Sequence, residues 1–191
     1  MTEWHWDRKR PEMWHIDREV LEHDYHRCKV FTYHAHNSKM AHDFVIAKLS
    51  DWVQCLAITE KQELVLVSQY RAGSQSLTLE LPGGAIDPNE EPINALHREL
   101  REETGYTGIQ PVHLYTGYPN PAFQDNRVHY YILSHCAKTH TTDFDPDEDL
   151  ATYLLPLKDL DDVIGQGTFQ HAITLNGLLL LQRWLQKNTL P

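Results

Sequence analysis

The 191-residue chain predicts an α+β fold, an αβα sandwich, from three observations. Short β-branched runs fill the first half, one amphipathic helical segment interrupts them near the middle, and a second closes the chain. Strands, helix, strands and a final helix, without internal repeats, must bury their apolar faces as helices layered on a sheet. The 41% hydrophobic and 23% charged content is that of an ordinary globule with ample length for a core.

Residues 1–27 are polar and aromatic, with Trp4, Trp6 and Trp14, and predict an irregular arm with one short strand. Seven of the 13 histidines precede residue 43, and His34 and His36 share a face if their segment is a strand. Without a third ligand at a convincing spacing, they read as surface or packing side chains rather than a metal pair. Strands are expected at Lys29–His34, Phe44–Leu49 and Val53–Thr59. Leu64–Tyr70, rich in Val and Leu, has the character of a buried strand, and the alternating Ser76–Leu81 runs into the loop signal Pro82-Gly83-Gly84.

From Glu90 to Thr104 the period turns helical, with Ile93, Leu96 and Leu100 on one stripe, Pro92 tolerable in the first turn and Gly105 as C-cap. Further strands are expected at Val112–Tyr115, Val128–Ser134 and Tyr153–Pro156, the last two separated by the acidic loop Asp143–Asp149. A terminal helix over Gln170–Gln186 carries Ile173, Leu178, Leu181 and Leu185 on its apolar face.

Charge and cysteine content limit the function. With 17 Lys+Arg against 27 Asp+Glu the net charge is -10, a poor basis for general nucleic-acid binding. A phosphate-ester ligand therefore requires local arginines or a metal ion. Cys28, Cys55 and Cys136 are widely spaced and odd in number, which predicts free thiols and a cytoplasmic location. The longest aliphatic run, Leu178–Leu181, is far short of the roughly 20 residues of a membrane span, and the N-terminus lacks the apolar segment of a secretory signal.

The chemistry is concentrated between Gly84 and Tyr106. On a helix turning about 100° per residue, Glu99, Glu102 and Glu103 fall within one arc beside the apolar stripe. They crowd like charges at i, i+4 in the last turn, where the helix dipole is also negative. A divalent cation reverses both penalties, and hard carboxylate oxygens suit Mg²⁺, with Mn²⁺ as a substitute. Gly83 and Gly84 let backbone carbonyls approach such a cation, and Glu90 and Arg98 are placed to tie loop to helix. A solvated acidic face is the alternative reading of the charges alone.

The segment resembles the Nudix box, GX5EX7REUXEEXGU, at all nine specified positions over 23 residues, with Tyr106 as the last bulky residue. Gln69-Tyr70-Arg71 and Leu79-Glu80-Leu81-Pro82-Gly83-Gly84 are similar to the approach to the box in ADP-ribose pyrophosphatases and nucleoside-diphosphate-sugar hydrolases. Pro121, 16 residues after Gly105, lies about where that subfamily carries a proline. The resemblance implies a Nudix-like αβα sandwich with a mixed central sheet and an N-terminal β extension. Residues 1–52 would form the arm and dimerisation strands, and 53–191 the hydrolase domain.

By the same resemblance, Glu99, Glu102, Glu103 and the Gly83 carbonyl would be metal ligands. Glu148 in the late acidic loop would be the general base, with Glu102 also in a catalytic role. Arg71 and Arg127 would contact the substrate diphosphate, Trp52 would stack on the nucleobase, and the protein would be a homodimer. The expected reaction is Mg²⁺-dependent hydrolysis of ADP-ribose or nucleoside-diphosphate sugars to a nucleoside monophosphate and a sugar phosphate. A sensing module without turnover, and an enzyme for nucleoside triphosphates or dinucleotide polyphosphates, are the competing readings. Asn120-Pro121-Ala122 departs from the subfamily's Ser-Pro-Gly, so discrimination at the sugar end is expected to differ.

Overall fold

A computed structural model of the protein describes residues 13–25, 27–144, 149–188 and 190. It forms two compact units, one from the chain up to Leu49 together with Asn120–Asp125, the other from Ser50–Pro119 and Asn126 onward.

The first unit is a three-stranded antiparallel sheet of β1 (His15–Tyr25), β2 (Cys28–His36) and β3 (Ala41–Leu49). Of the irregular arm expected over residues 1–27, residues 1–12, with Trp4 and Trp6, lie outside the described residues, and the one short strand expected there is corrected to the 11-residue β1. β1 lacks an apolar alternation and is almost entirely exposed, so backbone pairing with β2, rather than a buried face, specifies it. His34 and His36 each take a carboxylate partner, Asp43 at 2.7 Å and Asp17 at 2.8 Å. The Asn120–Asp125 segment is tied to β3: Ala47 N–H donates to the Phe123 carbonyl, and Leu49 N–H donates to Asp125 Oδ1.

The second unit is built on a mixed sheet. β4 (Trp52–Thr59), β5 (Glu63–Arg71), β6 (Ser76–Glu80), β7 (Tyr106–Gly117) and β8 (Val128–Lys138) follow the order β6-β5-β4-β8-β7, and β9 (Ala151–Pro156) pairs with β5. Among the described strands, only β4 and β8 pair in parallel. α1 (Pro92–Thr104) and α3 (Ala172–Leu185) cover opposite faces, and a short α2 (Leu160–Val163) precedes α3. Alternation along β4 assigns the faces. Val53, Cys55 and Ala57 pack with Ala95, Leu96 and Leu100 of α1, whereas Leu56 and Ile58 pack with Leu178 and Leu181 of α3. β4 is thus apolar on both faces, as a central strand requires. This is the αβα sandwich expected from the element order. β7 runs well beyond the predicted Val112–Tyr115, carried past Pro111 by register shifts against β8.

Cys28, Cys55 and Cys136 are free thiols. Burial pushes the Cys55 thiol well up and the Cys136 thiol to about 12, so both behave as small core hydrophobes. No helix among the described residues is long and apolar enough to cross a membrane.

Candidate active site

The site begins where β6 ends. Cys55 N–H donates to the Pro82 carbonyl and Val53 N–H to the Gly84 carbonyl, so the glycine loop lies along β4, with the intervening Gly83 carbonyl outside this pairing. Gly83 has φ 151°, and a Cβ there would lie 2.1 Å from the Val53 carbonyl oxygen, which admits only glycine. α1 then starts with Pro92 in its first turn and stops at Gly105, whose φ of 73° is the left-handed cap expected.

The helix brings the three carboxylates to this loop. Glu103 is buried, and its Oε2 accepts the Gly83 N–H at 2.8 Å. The Glu99 carboxylate occupies the space a Cβ on Gly84 would fill, with its atoms 2.6–2.7 Å from that position. Glu102 is more exposed and accepts from Arg98 Nη1 at 3.3 Å and Arg101 Nη2 at 3.2 Å.

Arg98 is the hub. Its Nε and Nη2 donate to Glu90 at 3.0 and 2.8 Å, and Nη2 also reaches the Ala85 carbonyl. Nη1 donates to Glu99 at 2.7 Å as well as to Glu102. The Arg98 hydrogen bonds lower the Glu90 carboxyl, and the pair with Glu90 raises the Arg98 guanidinium, so both stay ionised at neutral pH. The loop-to-helix tie of Glu90 and Arg98 therefore forms as expected. Among the described residues no three His, Cys, Asp or Glu side chains converge as a ready-made cation site. A guanidinium nitrogen instead lies between Glu99 and Glu102 and supplies positive charge to them.

The remaining candidates are dispersed. Glu148 lies outside the described residues. Trp52, at the start of β4, is partly buried, pairs with Val128 and bridges to Ala85 beside the glycine loop. Arg127 is exposed. Its backbone N–H donates to Asp51 Oδ1 at 2.7 Å, and its guanidinium lies 5.8 Å from the Tyr118 ring centroid. Arg71 is fixed by a bidentate pair with Glu80, both bonds 2.7 Å, while its side chain stays 43% exposed.

That pair belongs to a network the sequence did not reveal. Glu80 is 1% exposed and also accepts from Thr78 Oγ1 and His171 Nδ1. Burial alone would push its carboxyl up, but the hydrogen bonds from Arg71, His171 and Thr78 outweigh it and hold the group at about 2. The sequence singled out the Gln69-Tyr70-Arg71 and Leu79–Gly84 segments that hold Arg71 and Glu80, but neither their pairing nor His171.

A model of the NUDIX domain matches residues 50–185. The chain is 28% identical over 138 residues to the ADP-ribose pyrophosphatase of Bacillus subtilis, covering 72% of this chain and 75% of that protein. It is 30% identical over 139 residues to the GDP-mannose pyrophosphatase of Citrobacter koseri, covering 69% and 70%. A crystal structure of an ADP compounds hydrolase superposes with a TM-score of 0.81 at 20% identity, over 93% of this chain and 97% of that one.

Proposed function

The chain belongs to the Nudix family, and we propose that it is a divalent-metal-dependent pyrophosphohydrolase that cleaves ADP-ribose and nucleoside-diphosphate sugars to a nucleoside monophosphate and a sugar phosphate. The observation that carries this reading is the packing of Glu99 and Glu103 against Gly84 and Gly83 at the end of a complete box. Pyrophosphatase activity is what the names of both sequence relatives describe.

The donor chemistry of the box supports a hard cation such as Mg²⁺. Glu99, Glu102, Glu103 and the Gly83 carbonyl offer oxygen donors only, and the like-charged carboxylates on one arc gain from a positive partner. When bound, Mg²⁺ supplies charge neutralisation on a diphosphate and a more acidic water ligand. The chain's own part is positioning. Arg98 holds Glu99 and Glu102, and the absence of a side chain at Gly83 and Gly84 lets the loop lie against β4 and the Glu99 carboxylate. Arg71, steadied by Glu80, presents a cationic side chain for the diphosphate, with Arg127 as a further contact. Trp52 stacks on the base in this reading, which its aromatic ring beside the glycine loop supports. Glu148 takes the proton of the attacking water.

The active form is a cytoplasmic homodimer. The first unit's sheet exposes Ile16, Leu21, Tyr25 and Val45, which favours burial against a second copy, and the free thiols suit a reducing compartment. The test is a panel of ADP-ribose, nucleoside-diphosphate hexoses and nucleoside triphosphates with Mg²⁺ and product identification. We expect cleavage of ADP-ribose and at least one nucleotide hexose. Cleavage of triphosphates alone would overturn the substrate class.

A further inference from the structure

We propose that His171 is a positioning residue that, through Glu80, fixes the Arg71 guanidinium for the substrate diphosphate. The proposal rests on the assignment of Arg71 to the diphosphate given above. His171 caps α3 from extended backbone, with φ -82° and ψ 109°. Its Nδ1 lies 2.8 Å from Glu80 Oε2 and 3.0 Å from Thr174 Oγ1. An ionised carboxylate only accepts, so the hydrogen resides on Nδ1, which donates to Glu80. Thr174 Oγ1 in turn accepts the Leu81 N–H, one residue before the Pro82-Gly83-Gly84 loop.

The shared carboxylate couples the ends of this chain of contacts. Arg71 Nε binds Oε1 while Nη2 binds Oε2, the same oxygen that His171 holds. The plane of the Arg71 fork therefore follows the plane of the Glu80 carboxylate, which hydrogen bonds from His171 and Thr78 also hold. Glu80 is 1% exposed, so water cannot readily replace a lost donor. Arg71 is 43% exposed, so its own side chain has room to turn once the carboxylate does. With Nε and Nη2 committed to Glu80, the Nη1 side of the guanidinium is held in a fixed plane for a phosphate oxygen, which raises affinity without touching the bond that breaks, so its loss is felt in binding more than in turnover.

The experiment uses the full chain with Mg²⁺ and ADP-ribose, comparing wild type with His171→Ala, His171→Asn and His171→Asp, each checked by thermal unfolding. The Asn amide nitrogen can replace Nδ1–H, whereas Asp has the same size and no donor at neutral pH. We expect KM to rise about tenfold in His171→Ala and more in His171→Asp, with kcat within about twofold, and His171→Asn to recover most of the wild-type KM. Equal KM values for the Asn and Asp variants, or a loss confined to kcat, would overturn the proposal. Arg71→Lys separates the two levels, because a wild-type KM there means that the diphosphate assignment of Arg71 has failed, whatever His171 does.

Discussion

Adjacent glycines in the loop before α1 should fail in opposite ways when each is given a single methyl group. A Cβ on Gly83 would lie 2.1 Å from the Val53 carbonyl oxygen and 3.0 Å from the Gln54 Cα. A carbon–oxygen contact normally holds at about 3.3 Å or more, so the loop must withdraw by roughly 1 Å. The obstacle is backbone of the central strand, with Val53 fully buried, and cannot turn aside. Withdrawal breaks the bonds from Val53 N–H to the Gly84 carbonyl and from Cys55 N–H to the Pro82 carbonyl, at 2.9 and 2.8 Å. At about 1 kcal/mol each, with about 1–3 kcal/mol for a non-glycine residue at this φ, Gly83→Ala should lose about 3–5 kcal/mol. A Cβ on Gly84 instead meets the Glu99 carboxylate at 2.6 Å, the far end of a flexible side chain. Gly84→Ala should therefore cost only about 1 kcal/mol of stability, mostly the bond from Arg98 Nη1, yet lower kcat about 100-fold by displacing a proposed metal ligand. Urea unfolding read alongside ADP-ribose hydrolysis separates the two. A Gly83→Ala protein as stable as wild type, or a Gly84→Ala protein with unchanged kcat, would refute this account of the loop.

Further outcomes follow from the same geometry. Glu103→Gln keeps an oxygen that accepts the Gly83 N–H, so the fold should survive while kcat drops about 100-fold. EDTA should abolish wild-type activity, with Mg²⁺ or Mn²⁺ restoring it, and an active enzyme in EDTA would exclude the metal role. Glu80 is held at about 2, below its unfolded value near 4.3, so its stabilisation is complete above about pH 4.3 and fades as pH falls toward 2. The stability gap between wild type and Glu80→Gln, with a pH-dependent part on the order of 3 kcal/mol, should narrow from pH 7 to pH 3, and a constant gap would contradict the network. Light scattering should give a dimer at micromolar concentration, and a fully active monomer would refute the assembly proposed for the three-stranded sheet.

Legibility in the sequence followed the range of the physics involved. α1 and its loop were readable because every determinant is local: the apolar stripe, Pro92 in the first turn, Gly105 at the cap and the carboxylates at i, i+3 and i+4. β4 and β5 were readable because both of their faces are apolar. β1 was not, since its exposed, charged residues carry no period and only the partner strand specifies it. The Glu80 network was hidden for a related reason. Arg71, Glu80 and His171 meet only once β5, β6 and the start of α3 are assembled, and no spacing along the chain encodes that.

Arg98 shows how a correct local inference can be incomplete. Its pairing with Glu90 across the loop was legible, and so was the demand of Glu99 and Glu102 for positive charge. What spacing does not convey is that one guanidinium, with five donors in a rigid fork, answers both. In the fold Nε and Nη2 face Glu90 while Nη1 faces Glu99 and Glu102, so loop anchoring and carboxylate placement share a side chain. Removing Glu90 would therefore act at a distance. With the Glu90 charge gone, Arg98 is drawn further toward Glu99 and Glu102 and competes more strongly with a cation there. Glu90→Gln should accordingly raise the Mg²⁺ concentration needed for half-maximal activity while leaving the rate at saturating Mg²⁺ nearly intact. A titration with an unchanged midpoint would show that the two halves of the fork act independently.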